Sequence, residues 1–555
     1  MKSLNTNKMK SWVVVPILIL VVSACTKKLD KTPLDKFDNE TFWTSEANVQ
    51  LALAGVYRGN ILTTIAEYNP TDWWSYNGLI WLEMATDNAY DRRMDNSVVN
   101  RLTNGTLINN NALLGFYYNN SYLRIARCNY FLENIDRATT LNEAAKKRMI
   151  GEVRFIRACQ YFYMAQYWGS VPLVTKSLTA EEANTLDKAP HQALVEFVIS
   201  ELTAAAVDVP RHKDIPASEI GRASKQAVLS FLGRTQLIEG MFAEAATTFK
   251  TIIDFGDNII DPNYSSIFLE ANENSSENIF SIQFIPSLLA NGIMQHHAPR
   301  ILGGFDVTNP LASLMEAYQF TDGTPFSYTD PRYDYRDLSK NRDPRLKYTI
   351  LYNGAPVKNA FYISHPDSTN SEDQVQSSVR QTTQTGYGMR KYIDESFSGN
   401  LQNGYGGNLP IVRYAEILLS YLEAKLEAGH PIDQALLDAT INKVRSRPSV
   451  NMPKITVTNA TALRPILRNE RRVELALEGV RYSDLLRWQI ADQVLKGDFY
   501  GHPYPVSIRA IRKKNAAAPA DPYRRWFVTT KNFRKGVDER WPIPLAEVNI
   551  NPKLK

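Results

Sequence analysis

A short segment between residues 72 and 92 combines aromatic rings with amide, carboxylate and guanidinium groups. This mixture suits a sugar, because a flat ring covers the apolar C–H face of a pyranose while polar side chains hold its hydroxyls. The candidate ligand-binding residues of this segment are Asp72, Trp73, Trp74, Tyr76, Asn77, Trp81 and Arg92. A tryptophan pair with polar flanks is difficult to bury completely, since both indole N–H groups need acceptors. The alternative is that Trp81 and one member of the pair belong to the core, beside Leu79, Ile80 and Leu82.

Further candidates lie on glycine-containing segments in the middle of the chain. His296, Tyr387 and Tyr405 complete the set of expected ligand-binding residues. Adjacent histidines at 296 and 297 could bind a metal, but no third ligand has a suitable spacing, so polar surface histidines are favoured. We therefore expect neither a metal nor a cofactor. The run 403–408 (NGYGGN) lacks the strand and the Lys-Ser/Thr of a phosphate-binding loop and predicts a turn.

Three carboxylates recur at four-residue spacing near the C-terminus. Glu470, Glu474 and Glu478 would line one helical ridge, where two of them could act as acid and base in a glycosidase. Neighbouring arginines would hold these carboxylates ionised, which favours an ion-pair network that locks the helix; they are Arg468, Arg471, Arg472, Arg481 and Arg487. Glu423 and Glu427 are expected on a solvated face. Because no H-E-x-x-H, G-x-S-x-G, P-loop or dinucleotide motif occurs, we expect no catalysis.

The N-terminus has the pattern of an export signal. Three lysines precede the apolar run Trp12–Val22, which holds 11 residues, whereas a membrane-spanning helix needs about 20. Cys25 follows two small residues, as in the bacterial lipoprotein box, so we expect residues 1–24 to be removed and Cys25 to be acylated. A plain signal peptide with a chance cysteine is the alternative. Residues 25–39 are polar and aperiodic and predict a flexible tether.

The composition is that of an ordinary globular protein. Of 555 residues, 44% are hydrophobic and 22% are charged, which leaves ample material for a core. The formal net charge is +5, and without the three lysines of the signal it is +2. No basic block is dense enough to suggest nucleic acid as a partner.

Helical periodicity dominates both ends of the chain. The predicted helices are one that begins at Glu46 with Ser45 as its cap, and then Tyr122–Ile135, Lys146–Trp168, His191–Val209, Ser224–Gly240, Phe242–Phe255, Pro410–Ala428, Ile432–Arg447 and Leu463–Ile490. Small residues in the hairpin 224–255 predict a tetratricopeptide-like pair, although any close helical hairpin would look similar. Cys128 and Cys159 lie in two of these helices, where buried free thiols are favoured over a disulfide.

The middle of the chain has little periodicity but many aromatic residues, which favours ordered loops over disorder. Strand-like pieces occur at Asn278–Ile285 and Tyr348–Leu351. We predict one mainly α body over residues 40–555. It comprises an N-terminal helical part (40–260), a loop-rich ligand face (261–408) with a few short strands, and C-terminal helices with a tail (409–555).

Several motifs together resemble the SusD/RagB family of Bacteroidota surface lipoproteins. They span the mature chain in order: 42–45 (FWTS), 154–158 (RFIRA), 167–174 (YWGSVPLV), 342–346 (RDPRL), 413–419 (RYAEILL), 441–445 (INKVR), 470–475 (ERRVEL), 478–481 (EGVR) and 541–544 (WPIP).

The resemblance implies a SusD-like body of tetratricopeptide-like helix pairs, whose loops build a ligand face. Members cap a SusC-type TonB-dependent outer-membrane transporter and capture glycan, or sometimes peptide, for import. For this chain it implies a non-enzymatic, glycan-binding lid that is held at the outer membrane by lipid and faces the cell exterior. The alternatives are a tetratricopeptide-like scaffold or peptide-binding lid without glycan affinity, and a surface hydrolase.

Overall fold

The structure is a computed structural model that describes residues 42–58, 72–94, 97–375 and 382–555. The expected signal peptide, Cys25 and the tether lie outside the described residues. The chain is mainly helical, with 44% helix and 9% strand, as the sequence predicts. None of the described helices combines the length and apolar character needed to cross a membrane.

The N-terminal half supplies the longest helices. Their bounds are α1 Glu46–Arg58, α2 Ile80–Met84, α3 Ala112–Asn134, α4 Glu143–Trp168, α5 Ala180–Ala183, α6 His191–Asp208, α7 Lys225–Ile238 and α8 Phe242–Phe255. Local chemistry sets the ends of α4, because the Asn142 side chain accepts a hydrogen bond from the Ala145 N–H and Gly169 takes a positive φ of 79° after the last turn.

The long helices pack side by side in a row. Helix α3 packs against α4, α4 against α6, α6 against α7 and α7 against α8. The pair α7–α8 approaches closely, since a Cβ on Gly233 would lie 2.5 Å from Cε1 of Phe249. The predicted tetratricopeptide-like hairpin is thus present at its expected position. Cys128 of α3 and Cys159 of α4 are buried free thiols, as expected.

The remaining helices are shorter and lie in the middle and at the C-terminus. They are α9 Ile293–His297, α10 Ala312–Ala317, α11 Arg345–Thr349, α12 Tyr414–Glu427, α13 Gln434–Ala439, α14 Ile441–Arg445, α15 Ala460–Glu474, α16 Arg481–Arg487, α17 Ala491–Val494 and α18 Leu545–Ile550. Helix α12 packs against α8 and α15, and so joins the C-terminal helices to the N-terminal row.

The described chain contains five two-stranded antiparallel sheets, of which three join segments remote in sequence and two are hairpins. The strands are β1 Ala89–Asp91, β2 Asn278–Ile282, β3 Thr308–Pro310, β4 Ile350–Leu351, β5 Pro356–Val357, β6 Ala360–Phe361, β7 Gly388–Met389, β8 Leu409–Arg413, β9 Lys496–Pro503 and β10 Arg525–Asn532. The pairs are β1–β3, β2–β8, β4–β7, β5–β6 and β9–β10. In the pair β2–β8, Asn278 lies opposite Arg413. The predicted helix at Pro410–Ala428 was therefore wrong at its start, where a strand precedes the helix.

The predicted helix Leu463–Ile490 is interrupted. Helix α15 ends at Glu474 and α16 begins at Arg481, because Leu477 and Gly479 between them have positive φ values of 66° and 80°. A side chain at Gly479 would also meet Leu79, whose Cβ would lie 2.5 Å from the added Cβ. The turn therefore packs directly on the segment that precedes α2.

Glu470, Glu474 and Glu478 do form an ion-pair network, but the expectation for its cations was wrong, because the basic residues that pair with them among the described residues all come from other elements. This buried charge cluster comprises Glu277, Asp343, Glu470, Glu474, Glu478, Arg345, Lys391, Arg413, Arg445 and Arg447. Burial opposes ionisation of Glu474, yet the guanidinium groups of Arg447 and Arg413 outweigh it and hold the pKa of that carboxyl well below its usual value. The cluster fastens α15 to the strand β8 and to α11.

The expected solvated face at Glu423 and Glu427 was wrong for the first of these residues. Glu423 is 2% exposed and accepts hydrogen bonds from Arg487 and from the indole N–H of Trp488. Glu427 is half-buried and accepts from Nε of Arg464 at 2.7 Å. A carboxylate can therefore be buried on a helix when a second helix brings it an arginine.

Candidate functional site

The tryptophan pair lies in the core. Trp73 has no exposed surface, and its ring stacks on those of Tyr117, Tyr163 and Tyr167 at centroid distances of 4.0, 4.8 and 5.4 Å. Trp541 of the closing segment stacks on Tyr167 at 4.6 Å from the other end. These five rings are called the tryptophan stack below. They join α3, α4 and the C-terminal tail, and they leave no ring face of Trp73 for a sugar.

Both indole N–H groups of the pair find acceptors inside the protein. The N–H of Trp73 donates to the Ser121 hydroxyl at 2.8 Å, and that of Trp74 donates to the Tyr163 hydroxyl at 3.4 Å. Asp72 is 3% exposed and forms an ion pair with the buried Arg124. The expectation that the pair resists burial was therefore wrong, because α3 and α4 supply the missing acceptors.

Tyr76, Asn77 and the two histidines form a buried network. The Tyr76 hydroxyl lies 2.7 Å from Nδ1 of His296, and the Asn77 amide oxygen lies 2.8 Å from Nε2 of His297. Each of these four side chains is at most 2% exposed, so the expectation of surface histidines was wrong. Burial, together with Arg93 and Arg92, lowers the pKa of His296 to about 4. Both rings are therefore neutral at physiological pH and act as hydrogen-bonding core residues.

The other predicted residues of the first segment differ in exposure. Trp81 is fully buried, as the alternative held, with the Arg93 guanidinium carbon 4.6 Å from its ring centroid. Arg92 is half-buried and lies 5.9 Å from the ring of Phe305. Among the ten predicted binding residues it alone keeps substantial exposure.

The two predicted tyrosines are also buried. Tyr405 is 1% exposed, and its hydroxyl accepts a hydrogen bond from the Glu270 N–H at 3.3 Å. Tyr387 is fully buried, and its hydroxyl has no hydrogen-bond partner among the described residues. Burial raises the pKa of Tyr387, and the nearby Tyr333 and Glu316 add to the shift. Tyr387 therefore lies close beneath the surface cluster described next.

A half-exposed aromatic cluster lies where the loop 320–336 meets the hairpin β9–β10. Its members, called the tyrosine platform below, are Phe326, Tyr328, Tyr333, Tyr500 and Tyr523. Tyr328 and Tyr523 stack at 4.4 Å with an interplanar angle of 21°, and Tyr523 keeps 38% of its surface exposed. Flat, partly exposed rings of this kind can cover the apolar face of a sugar.

Charged groups frame the platform. The Tyr328 hydroxyl and Nη1 of Arg525 both donate to the same oxygen of Glu316, at 2.8 Å each. The Arg525 guanidinium carbon lies 4.6 Å from the ring centroid of Tyr500 and 5.7 Å from that of Tyr523. Burial, together with Tyr387 and Glu316, raises the pKa of Tyr328 well above its usual value, so its hydroxyl stays protonated. The platform thus offers ring faces beside hydroxyl, carboxylate and guanidinium groups, which is the combination predicted for residues 72–92.

The sequence pattern placed part of the platform in the expected ligand face but did not single it out. Phe326, Tyr328 and Tyr333 fall within residues 261–408, whereas Tyr500 and Tyr523 come from the C-terminal part. No local pattern joins the two groups. In residues 42–58, 72–94, 97–375 and 382–555, no three His, Cys, Asp or Glu side chains are grouped so that they could hold a metal ion.

Comparisons with known proteins agree with this architecture. The model of the SusD family matches residues 271–555, and a second model, described as starch-binding associating with outer membrane, matches residues 29–237. A SusD-like carbohydrate binding protein from Bacteroides fragilis is 45% identical, with a TM-score of 0.89 over 93% of this chain and 100% of that chain. A SusD-like protein from Formosa agariphila is 25% identical over 99% of this chain and 98% of its own length.

A more distant solved structure shares the fold. A laminarin binding SusD-like protein is 21% identical, with a TM-score of 0.66 over 92% of this chain and 98% of that chain. The two family models together match residues 29–237 and 271–555, and the protein from Bacteroides fragilis shares the fold over nearly the whole chain. This chain belongs to the SusD family.

Proposed function

We propose that this protein is a lipid-anchored glycan-binding lid that captures oligosaccharide at the cell surface and delivers it to a SusC-type TonB-dependent transporter. Its family membership and the carbohydrate-binding relative at 45% identity support the ligand class. The outer-membrane association in the description of the second family model supports the location. The tether at residues 25–39 would let the lid open without leaving its transporter.

The tyrosine platform is the proposed glycan site. The observation that carries this assignment is the exposed, stacked ring of Tyr523, whereas Trp73 and Trp74 are 0% and 7% exposed. A pyranose can stack on Tyr523 while its hydroxyls reach Glu316 or Arg525. Glu470 and Glu474 form buried ion pairs, so we propose no catalytic role for either carboxylate.

Alanine at Tyr523 tests the assignment. We expect Tyr523→Ala to weaken glycan binding by about 1 kcal/mol, or roughly fivefold, because one stacking face is lost. The free energy of unfolding should change little, since the side chain is partly exposed. The measurement is isothermal titration calorimetry on the chain from Thr26 to Lys555, against a panel of starch, laminarin, dextran, dextran sulfate, polygalacturonate and its methyl ester.

A matched control is available on α3. Tyr130 is 44% exposed and lies on another element, so Tyr130→Ala should leave glycan affinity unchanged. Equal losses in both variants would argue against a site at the platform. Absence of binding to every glycan, together with co-purification of an outer-membrane barrel, would instead favour the scaffold or peptide-binding alternative.

A further inference from the structure

The segment between β9 and β10 concentrates positive charge. Residues 505–525 (PVSIRAIRKKNAAAPADPYRR), called the basic strap below, contain one carboxylate, Asp521. Their cations are Arg509, Arg512, Lys513, Lys514, Arg524 and Arg525. Six cations and one carboxylate give the strap a net charge of +5, which equals the formal net charge of all 555 residues.

Hydrogen bonds hold the two ends of the strap in place. Asp367 accepts from the Ile508 N–H at 2.8 Å and from the Arg509 N–H at 3.0 Å. Near the C-terminal end of the strap, Nη2 of Arg524 donates to the Ser507 carbonyl at 2.8 Å and so joins the two ends. Further along, the Phe527 N–H donates to the Arg512 carbonyl at 3.0 Å and ties the strap to β10. The strap therefore holds its cations in a defined place.

Within the described part of the chain, carboxylates neutralise only some of this charge. Lys514 pairs with Asp498 at 2.8 Å, and Arg525 pairs with Asp521 and Glu316. By contrast, Arg509, Arg512, Lys513 and Arg524 make no ion pair within 4.0 Å among the described residues. Arg509 and Lys513 are exposed, and the amine of Lys513 donates to the carbonyls of Ala516 and Ala518. An uncompensated cationic surface favours an anionic ligand.

The strap is continuous with the tyrosine platform. Tyr523 belongs to the strap and stacks on Tyr328, and the Arg525 guanidinium lies between the rings of Tyr523 and Tyr500. A sugar chain that stacks on Tyr523 would therefore pass beside Arg525. Arg512 lies on the same hairpin, 6.0 Å from the ring of Phe527, which packs on Tyr500. Insertion into a phospholipid surface would need a broad exposed apolar face, whereas the strongly exposed apolar side chains of the strap are those of Val506 and Ile508.

The geometry points to an acidic polysaccharide as the ligand: its sugar rings stack on the tyrosine platform while Arg509, Arg512 and Lys513 bind its carboxylate or sulfate groups. This inference rests on the proposed glycan-binding function and narrows its substrate class. Guanidinium groups suit the purpose because their planar N–H donors match carboxylate and sulfate oxygens in pairs.

Paired polysaccharides that differ only in charge provide the test. The chain from Thr26 to Lys555, which contains every described element, is titrated with polygalacturonate and with its methyl ester, and with dextran sulfate and with dextran. Starch and laminarin serve as further neutral probes. We expect at least tenfold tighter binding of one charged polymer than of its neutral partner, with a loss of affinity between 50 and 200 mM salt as the ionic contacts are screened.

Charge reversal tests whether the strap cations bind the charged polymer. The triple variant Arg509→Glu, Arg512→Glu, Lys513→Glu should weaken binding of the charged polymer at least tenfold. The control variant Lys147→Glu, Lys213→Glu, Lys443→Glu changes the net charge equally at exposed positions on or near α4, α6 and α14, and should keep the affinity within about twofold. Circular dichroism melting of both variants shows whether each remains folded.

The outcomes separate this inference from the proposed function. Equal affinity for charged and neutral polymers, or full affinity in the folded strap variant, would overturn the acidic ligand while glycan binding stands. Absence of binding to all six polysaccharides would overturn both. If the protein bound phosphatidylglycerol vesicles but no polysaccharide, and the strap variant lost this binding, the inference would be overturned in favour of a lipid surface.

Discussion

The tryptophan stack and the tyrosine platform contain the same kind of side chain in opposite roles. Trp73 is enclosed by Tyr117, Tyr163 and Tyr167, which project from the long helices α3 and α4. Tyr523 stacks on one ring from a loop and keeps 38% of its surface exposed. Polar neighbours along the sequence surround both residues. Trp73 is therefore buried because two long helices surround it, whereas Tyr523 stays exposed although its sequence neighbours are similarly polar.

Removing a ring from the stack should have the largest effect. Trp73→Ala would delete a fully buried side chain and leave the Ser121 hydroxyl without its donor, so we expect a loss of about 3–5 kcal/mol in the free energy of unfolding. Chemical denaturation followed by circular dichroism measures this loss. The double replacement of Trp73 and Trp74 by alanine should unfold the protein, because it removes two buried rings. A Trp73→Ala variant that keeps its stability but loses glycan affinity would place the glycan site at the tryptophan stack and not at the tyrosine platform.

The stability of the folded protein should also depend on pH, through the buried His296. Burial lowers the folded-state pKa of His296 to about 4, from an unfolded value of about 6.5, so the unfolded chain binds more protons between these values. Stability should therefore fall as the pH falls from 6.5 towards 4, and His296 alone should contribute about 2 kcal/mol by pH 5. The buried His297 shifts in the same direction.

Denaturation at pH 8 and pH 5 checks this expectation. The variant His296→Gln keeps a polar group of similar size and should lose part of the pH dependence. Glycan affinity of the folded protein at pH 8 and 6 should be unchanged, because burial keeps Tyr328 protonated in this range. A rise in stability on acidification would contradict the assignment of neutral, buried histidines.

The smallest effect on stability is expected for a change at Tyr387, beneath the tyrosine platform. Tyr387→Phe removes a buried hydroxyl that has no hydrogen-bond partner among the described residues, so the free energy of unfolding should change by less than about 0.5 kcal/mol. Differential scanning calorimetry measures the change. A loss of more than about 2 kcal/mol would show that the hydroxyl is satisfied in the protein. A loss of glycan affinity at constant stability would extend the binding site to Tyr387.

Much of the helical fold could be predicted from local pattern. Periodicity and turn residues located α8 at Phe242–Phe255, and the cap at Asn142 extended α4 by one turn beyond its predicted start. The failures occurred where distant contacts overrule local preference. Leu409–Arg413 forms a strand because β2 pairs with it, and the turn at Leu477 interrupts a periodic segment because it packs on Leu79.

The candidate site was less predictable than the fold. The acceptors that allow Trp73 and Trp74 to be buried are Ser121 and Tyr163, which are remote in sequence. The platform joins Tyr328 to Tyr523, which are even farther apart in sequence. The strap was missed for another reason: its cations fall short of a nucleic-acid-binding block. Only the structure shows that Arg509, Arg512 and Lys513 form no ion pair with any carboxylate of the described residues.

Hydroxyl-radical footprinting with mass spectrometry tests most directly the claim that sugar meets the tyrosine platform and not the tryptophan stack. The protein is oxidised alone and with the polysaccharide that binds most tightly in the panel above, and modification is quantified at Tyr523, Tyr130, Trp73 and Trp74. We predict that ligand protects Tyr523, leaves Tyr130 equally modified, and finds both tryptophans unmodified in either state. Ligand-dependent protection of Trp73 or Trp74, with Tyr523 unchanged, would contradict the account.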